Sequence, residues 1–403
     1  MRAGLSDAGK HRIDWLGRLR GSWGRLRLLR LTVILAFCIG LLMCPVLWIG
    51  PRSYPMAPFL LLLPPIEGGL AKCLYAGLFV FAAAACVARD ARWPIGGFLA
   101  VIAVFCLADQ TRWQPWVFQY SVLLAVVALD PGSGEEAGQA RALNTARLII
   151  ALTYIFSGLQ KINLNFMESD FPWVIAPITD HFPSLGSILG AFGFVVPFIQ
   201  VAFGAGLLTK RYRRISLVAA VAMHAFILAM FGPLGLNWNS IVWPWTATMA
   251  VFDLLLFSGG PDFSWRDVLW NGRDRRHMAA VALFAILPAL SFFNLWDSYL
   301  SSALYSGNLT EAQIYLSDAG AASLDREIKS RLVHTAADTN VLNLQRWAVE
   351  ELNVTPYAET RVFKSIARSV CGGMPDRNQL VLIVREQRMF FSRPEAGYRC
   401  SQL

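Results

Sequence analysis

The chain has 403 residues, 55% of them hydrophobic and only 16% charged, with a formal net charge of +9. A mean hydropathy of +0.45 excludes an ordinary soluble two- or three-domain protein and makes lipid the solvent to reason from. The positive charge does not form the patch that nucleic-acid binding requires, because eight Lys/Arg fall in the first 30 residues, directly before an uncharged stretch from Leu31 to Gly50. That arrangement is an orientation signal. The apolar run is about 20 residues long, enough to cross a hydrocarbon core, and no small-x-small cleavage site follows it, so it reads as a retained first helix.

Further apolar runs separated by charged or Pro/Gly-containing breaks predict helices over 70–88, 94–108, 115–129, 146–162, 185–209, 215–232, 241–257 and 278–296. The expected fold is therefore an all-α polytopic membrane helix bundle of about nine transmembrane helices. Asp109–Pro115 alone separates the third and fourth, which makes that pair a tight hairpin or a re-entrant element. With the N-terminus inside, Arg89, Arg92, Arg141, Arg147, Lys210, Arg211, Arg213, Arg214, Arg266, Arg273, Arg275 and Arg276 join the tail on the inner side, whereas the outer loops hold only Arg52 and Arg112. The positive-inside rule thus places the protein in the inner cell membrane, N-terminus cytoplasmic, with the bilayer as its first partner. Residues 1–30 form the basic tail and 31–296 the bundle.

After Trp296 charges become frequent and long apolar runs end, so 297–403 reads as a small extracytoplasmic α/β domain. Glu311–Ser317 and Gln379–Glu386 alternate like strands, while Ser323–Thr335 and Tyr357–Cys371 have helical spacing. Five cysteines lie in apolar helices, but Cys371 and Cys400 lie in this domain, where an oxidising compartment would pair them; the alternative is two buried thiols. Neither has the companions of a metal site, and no metal is expected. Two Asn-x-Thr sequons stand at Asn308 and Asn353.

Ionisable groups inside apolar spans are costly and so mark candidates for function. Lys161, at the outer end of the fifth helix after Gly158, is the foremost. If desolvated it can act as a general base; the alternative is a lysine that snorkels to the interface or pairs with Asp109 or Glu168. Asp109, Arg112, Trp113, Gln114 and Trp116 lie on the same side and could line a polar pocket or form an interfacial ion pair with an aromatic belt. His224 sits within a span, as a proton carrier, a quinone ligand or an interhelical hydrogen-bonding group. Asn237, Trp238 and Asn239 follow it in an uncharged loop able to close over a lipophilic ligand or simply cap a turn. No Ser/His/Asp arrangement, HExxH or phosphate loop is visible.

Three segments carry a resemblance. Leu107-Ala-Asp-Gln-Thr-Arg-Trp-Gln-Pro-Trp116 is similar to an Asp-x-Thr-x-Trp turn, Tyr154-Ile-Phe-Ser-Gly-Leu-Gln-Lys161 to an aromatic-x-Ala-Gly-x-Lys-Lys stretch, and Lys210 to His224 to a basic loop entering a histidine-bearing helix. In this order they resemble the vitamin-K-dependent gamma-carboxylase-like proteins with the horizontally transferred transmembrane domain. The resemblance implies Lys161 as the base that deprotonates a reduced quinone. Read from the residues, Asp109, Arg112, Trp113, Trp116, Gln160, His224, Asn237 and Asn239 are the expected substrate pocket, converging with Lys161 on one outward-opening, apolar cavity. Gln160 stands where the family has its first lysine, and Trp116 where the enzyme has a histidine. The Gly-x-x-Lys helix is also similar to that of DoxX-like and MauE-like redox-associated membrane proteins, which implies a non-catalytic accessory or assembly role. No inverted repeat favours transport.

Overall fold

The computed structural model describes residues 21–59, 65–129, 136–259, 262–271, 274–334, 339–386 and 395–403. Five of the eight basic tail residues and Arg273 lie outside the described residues, as do residues 130–135. The chain is mostly helical. Its bundle comprises α1 (Ser22–Met43), α2 (Gly68–Val87), α3 (Arg92–Ala108), α4 (Pro115–Ala128), α5 (Glu136–Gln160), α6 (Val196–Leu207), α7 (Arg213–Phe231) and α8 (Val242–Phe257).

Among these, α1, α2, α5 and α7 are long and apolar enough to cross a membrane. A fifth crossing would be the pair Pro183–Phe194 and α6, bent by 49° at their junction. The helices α3, α4 and α8 are apolar but only 14–17 residues long, about 21–26 Å at 1.5 Å per residue and short of a full hydrocarbon core. The last expected span is helical over 275–291 but passes through a π-turn at Ala282–Ile286. Pro288 explains the turn, because it has no N–H to give the carbonyl of Phe284 and the ladder must widen around it. A second π-turn, Phe166–Asp170, precedes Pro172 for the same reason.

The first helix is central, packing on α2, α4, α5 and α8. Its Gly40 accepts the ring of Trp116, which would lie 2.7 Å from a β-carbon at that position. Trp116 then joins Phe37 (5.5 Å between ring centroids) and Tyr120 (6.1 Å) in an aromatic core. Helices α5 and α6 meet through two glycines: a β-carbon on Gly158 would fall 2.7 Å from the Pro197 carbonyl oxygen, and one on Gly204 2.9 Å from Tyr154 Cβ. Small residues let the two backbones approach, the packing mode that lipid favours.

The C-terminal region is an antiparallel sheet, β1 (Glu311–Leu316), β2 (Val333–His334), β3 (Asn340–Asn343), β4 (Leu380–Arg385) and β5 (Glu395–Arg399), in the order β2-β3-β1-β4-β5. Ala312, Ile314 and Leu316 on β1 are paired with Val384, Leu382 and Leu380 on β4. All six are buried on one face, as period-two alternation requires. The amphipathic helices α10 (Leu344–Leu352) and α11 (Thr360–Gly372), numbered after a ninth helix α9 (Arg275–Val281), supply Trp347, Leu352, Phe363 and Ile366 to the same core. A disulfide joins Cys371 at the end of α11 to Cys400. The helix expected over Ser323–Thr335 is instead a single turn, Arg326–Lys329, followed after three residues by the edge strand β2.

This region is docked on one end of the bundle. Gln114 donates to the Thr355 carbonyl (3.0 Å) and Arg361 to Gln110 (3.0 Å). Asn353 caps α10 in the left-handed region (φ 56°) and spans the gap, donating to the Met43 carbonyl (3.0 Å) and accepting from Ser240 N (3.0 Å). Both sequon asparagines are thus engaged, since Asn308 donates its amide to Gln160 Oε1 (2.6 Å).

Candidate functional site

Tyr154 and Ser157 on α5 and Lys161, one residue past its end, follow one another at helical spacing, so they share a face, with Tyr154 and Lys161 about two turns, roughly 10 Å, apart along the axis. That face borders a cavity of about 180 Å³ between α5, α6, α7 and α8. Val174, Met223, Ile227 and Met249 make its walls apolar, and Tyr305 and Phe231 lie at the end nearer the C-terminal domain.

Polar groups stand at two levels. Lys161 Nζ donates to the Ser157 carbonyl (2.9 Å) and hydroxyl (2.7 Å), and lies 5.9 Å from the centre of the Phe166 ring. Deeper in the bundle, the Tyr154 hydroxyl donates to Asp253 Oδ2 (2.7 Å) and is bonded to His224 Nε2 (2.7 Å). His224 and Asp253 are themselves 3.7 Å apart, too far for a good direct hydrogen bond, so the phenol is the bridge. If Tyr154 donates to the carboxylate, His224 carries its proton on Nε2. His224 Nδ1 and Asp253 Oδ1 then have no hydrogen-bond partner among the described residues. A buried phenol–imidazole–carboxylate chain with unused positions can pass a proton along its length; Lys161, about two turns away on the same face, is beyond direct hydrogen-bond reach of it and could accept a proton only from a molecule lying between the two.

Asn239 has a supporting position here. With φ 47° it turns the loop, and its amide donates to the Tyr305 hydroxyl (2.8 Å). Asn237, also at φ 47°, shapes the same loop but does not line the cavity. Gln160 does not line the cavity; it is rotated about 100° around the helix from the position next to it. Its amide instead donates to Ser291 Oγ (2.9 Å) and accepts from Asn308, tying α5 to the segment that leads into the C-terminal domain.

The Asp109 cluster lies apart from this cavity. Asp109 caps the turn after α3, accepting from Ala57 N (3.1 Å), Thr111 N (3.1 Å), Thr111 Oγ1 (2.6 Å) and Arg52 Nη2 (2.5 Å). Arg112, 4.0 Å from it, donates to the carbonyls of Leu47 (3.0 Å), Phe105 (3.1 Å) and Trp48 (3.3 Å). Burial alone would raise the Asp109 carboxyl, but the two guanidiniums and the donated hydrogen bonds hold it below the usual carboxylate range. Trp113 packs against the core, and Trp116 is sealed in the aromatic cluster of α1 and α4. The polar-pocket expectation for Asp109, Arg112, Trp113 and Trp116 is thereby corrected: these residues do not line the cavity, and Asp109 and Arg112 direct their hydrogen bonds to neighbouring loops and so tie them together.

Two members of the site went unselected in the sequence. Asp253 is the lone carboxylate within the apolar run of α8, which was signal enough. Tyr154 carried no signal apart from its spacing to Lys161. Compared with protein-family models, curated proteins and solved structures, the chain matches no family model, no curated protein and no solved structure.

Proposed function

We propose that this protein is a membrane-integral enzyme of proton-coupled chemistry on a lipophilic ring compound, a reduced quinone being the class that fits, with Lys161 as the base. The observation that carries the reading is that Lys161, Tyr154 and His224 line one apolar cavity although they come from different turns and helices. A volume of about 180 Å³ is below the usual range for a whole drug-sized ligand. It is comparable with the ~150 Å³ that admits benzene, so a ring headgroup fits and a full lipid does not. The ring hydroxyl nearer the mouth would give its proton to Lys161, whose present donors rest on Ser157 and are released without breaking any contact between helices. The deeper hydroxyl would exchange its proton with the Tyr154–His224–Asp253 chain.

We further infer nine crossings, with the N-terminus cytoplasmic and the C-terminal domain on the far side. This is supported by the separation of charges. The loops around Lys161, Asp109 and Asn239 share one end with the C-terminal domain, whereas Arg25, Arg147, Arg213 and Lys210 gather at the other. A second reading, a non-catalytic redox-accessory protein, is favoured by one observation: both hydrogen bonds of Lys161 stay within its own helix, as for a lysine that merely finishes a span. Met249→Trp separates a ligand site from a solid core. If the cavity binds a lipophile, the bulky ring displaces it and the purified variant loses a bound quinone that the wild-type protein retains. Equal quinone content in both proteins would count against the proposal.

A further inference from the structure

The end of the bundle opposite the C-terminal domain carries a second, larger cavity of about 700 Å³, bounded by the start of α1, the junction of α2 and α3, the end of α4 and the start of α5. Trp23, Arg27 and Arg30 reach it from one face of α1 at spacings of four and three. Arg89, Asp90 and Arg92 reach it from the junction. Among the described residues the charges there do not cancel. Arg92 is matched by Asp90, with Nε donating to Oδ1 (2.9 Å) and Nη2 to Oδ2 (2.9 Å). Arg27, Arg30 and Arg89 have no carboxylate or carbonyl partner among the described residues, and Arg30 Nε is buried without any hydrogen bond.

Several other basic residues at this end are engaged within the protein, and Arg211, Arg214 and Arg275 do not line the cavity. Arg25 donates to the Leu255 carbonyl (2.5 Å) and the Ser258 carbonyl (2.8 Å), Arg147 to the Leu256 carbonyl (2.9 Å), Arg213 to the Phe263 carbonyl (2.9 Å), and Lys210 to Asp262 (2.7 Å). Three guanidiniums with no carboxylate partner among the described residues, around one hollow, constitute a receptor for a polyoxygen anion. The rim identifies which kind. Trp23 and Val87 remain 56% and 83% exposed beside the arginines, and an indole at a helix end beside exposed aliphatic carbon is the composition of a bilayer interface rather than of a site for a soluble anion.

We propose that this cavity holds the phosphate headgroup of an anionic phospholipid, its acyl chains passing over Trp23 and Val87. The test uses the purified full-length protein exchanged into mixed micelles of equal phosphatidylglycerol and phosphatidylcholine, the retained lipids being counted by native mass spectrometry. The wild-type protein should retain the anionic lipid preferentially. Each neutralised arginine should cost about fivefold in that preference, so Arg30→Gln weakens it and the combined Arg27→Gln, Arg30→Gln, Arg89→Gln variant brings it to parity. Arg211→Gln, at the same end but not among the residues lining the cavity, should change nothing. Equal retention of the two lipids by the wild-type protein would overturn the proposal, and that comparison needs no variant to fold. So would undiminished preference in the triple variant, or full displacement of the lipid by glycerol 3-phosphate, which would make this a site for a soluble anion.

Discussion

Replacing Asp109 by alanine should damage the fold, whereas replacing Lys161 should not. Asp109 is fully buried and accepts four hydrogen bonds, one of them in an ion pair with Arg52, whose own side chain is only 6% exposed. Truncation leaves the Arg52 guanidinium without its counter-ion, Arg112 without its neighbour, and two backbone N–H groups without an acceptor. Breaking a buried pair in this way costs about 3–5 kcal/mol, a large part of the total stability of a typical domain. Asp109→Asn keeps the shape and part of the hydrogen bonding, so its loss should be smaller. Lys161→Ala, by contrast, removes only bonds to Ser157 on the same helix. The assay is thermal unfolding of the detergent-purified protein followed by size-exclusion fluorescence. An Asp109→Ala variant as stable as the wild type would refute the assignment of this cluster to structure, and Lys161→Ala unfolding as readily as Asp109→Ala would refute the separation of the two sites.

Burial, with Asp297 nearby, pushes the Glu359 carboxyl up to about 7, against the help of Arg361 and Ser298. A folded value above the unfolded one means stability is complete at low pH and lost as pH rises toward and through 7, by up to about 3 kcal/mol. Melting curves at pH 5 and pH 8 should show this fall in the wild type and its absence in Glu359→Gln. The disulfide between Cys371 and Cys400 closes a loop with a sequence separation of 29. Cys400→Ser should therefore lower the stability of the C-terminal domain by about 2–4 kcal/mol, read as earlier proteolysis of that domain alone. Gly158→Val places branched carbon against the Pro197 carbonyl and should sharply reduce the yield of folded protein, while Gly190→Ala, where a β-carbon meets nothing within 4 Å, should be tolerated.

The apolar runs located eight helices to within a few residues for most of their ends, because the transition from charged to apolar side chains is also the transition a bilayer imposes. What they could not convey was angle around each helix. Lys161 and Asp109 were correctly seen as chain neighbours of turns, but only packing shows that α5 turns Lys161 and Tyr154 to the cavity while turning Gln160 to Ser291 and Asn308. Arg52 was read as a loop charge, yet it is the counter-ion that makes Asp109 structural. Asp253 is legible as the lone carboxylate in the apolar run of α8, but its pairing with Tyr154 on α5 is set by packing alone. In the C-terminal domain the alternating runs around Ile314 and Leu382 marked two strands, while β3, with an asparagine at each end, and β5, only Glu-Ala-Gly-Tyr-Arg, are too short and polar to be read without their partners.

The central claim is that Lys161 and the Tyr154–His224–Asp253 chain serve one ligand in one cavity. The most direct measurement is turnover of a reduced quinone by the purified protein, wild type beside Lys161→Ala and Tyr154→Phe, with quinone content and melting temperature recorded for each. The account predicts that both variants fold and retain quinone, and that Lys161→Ala abolishes its conversion while Tyr154→Phe slows it. Conversion by Lys161→Ala at the wild-type rate would contradict it.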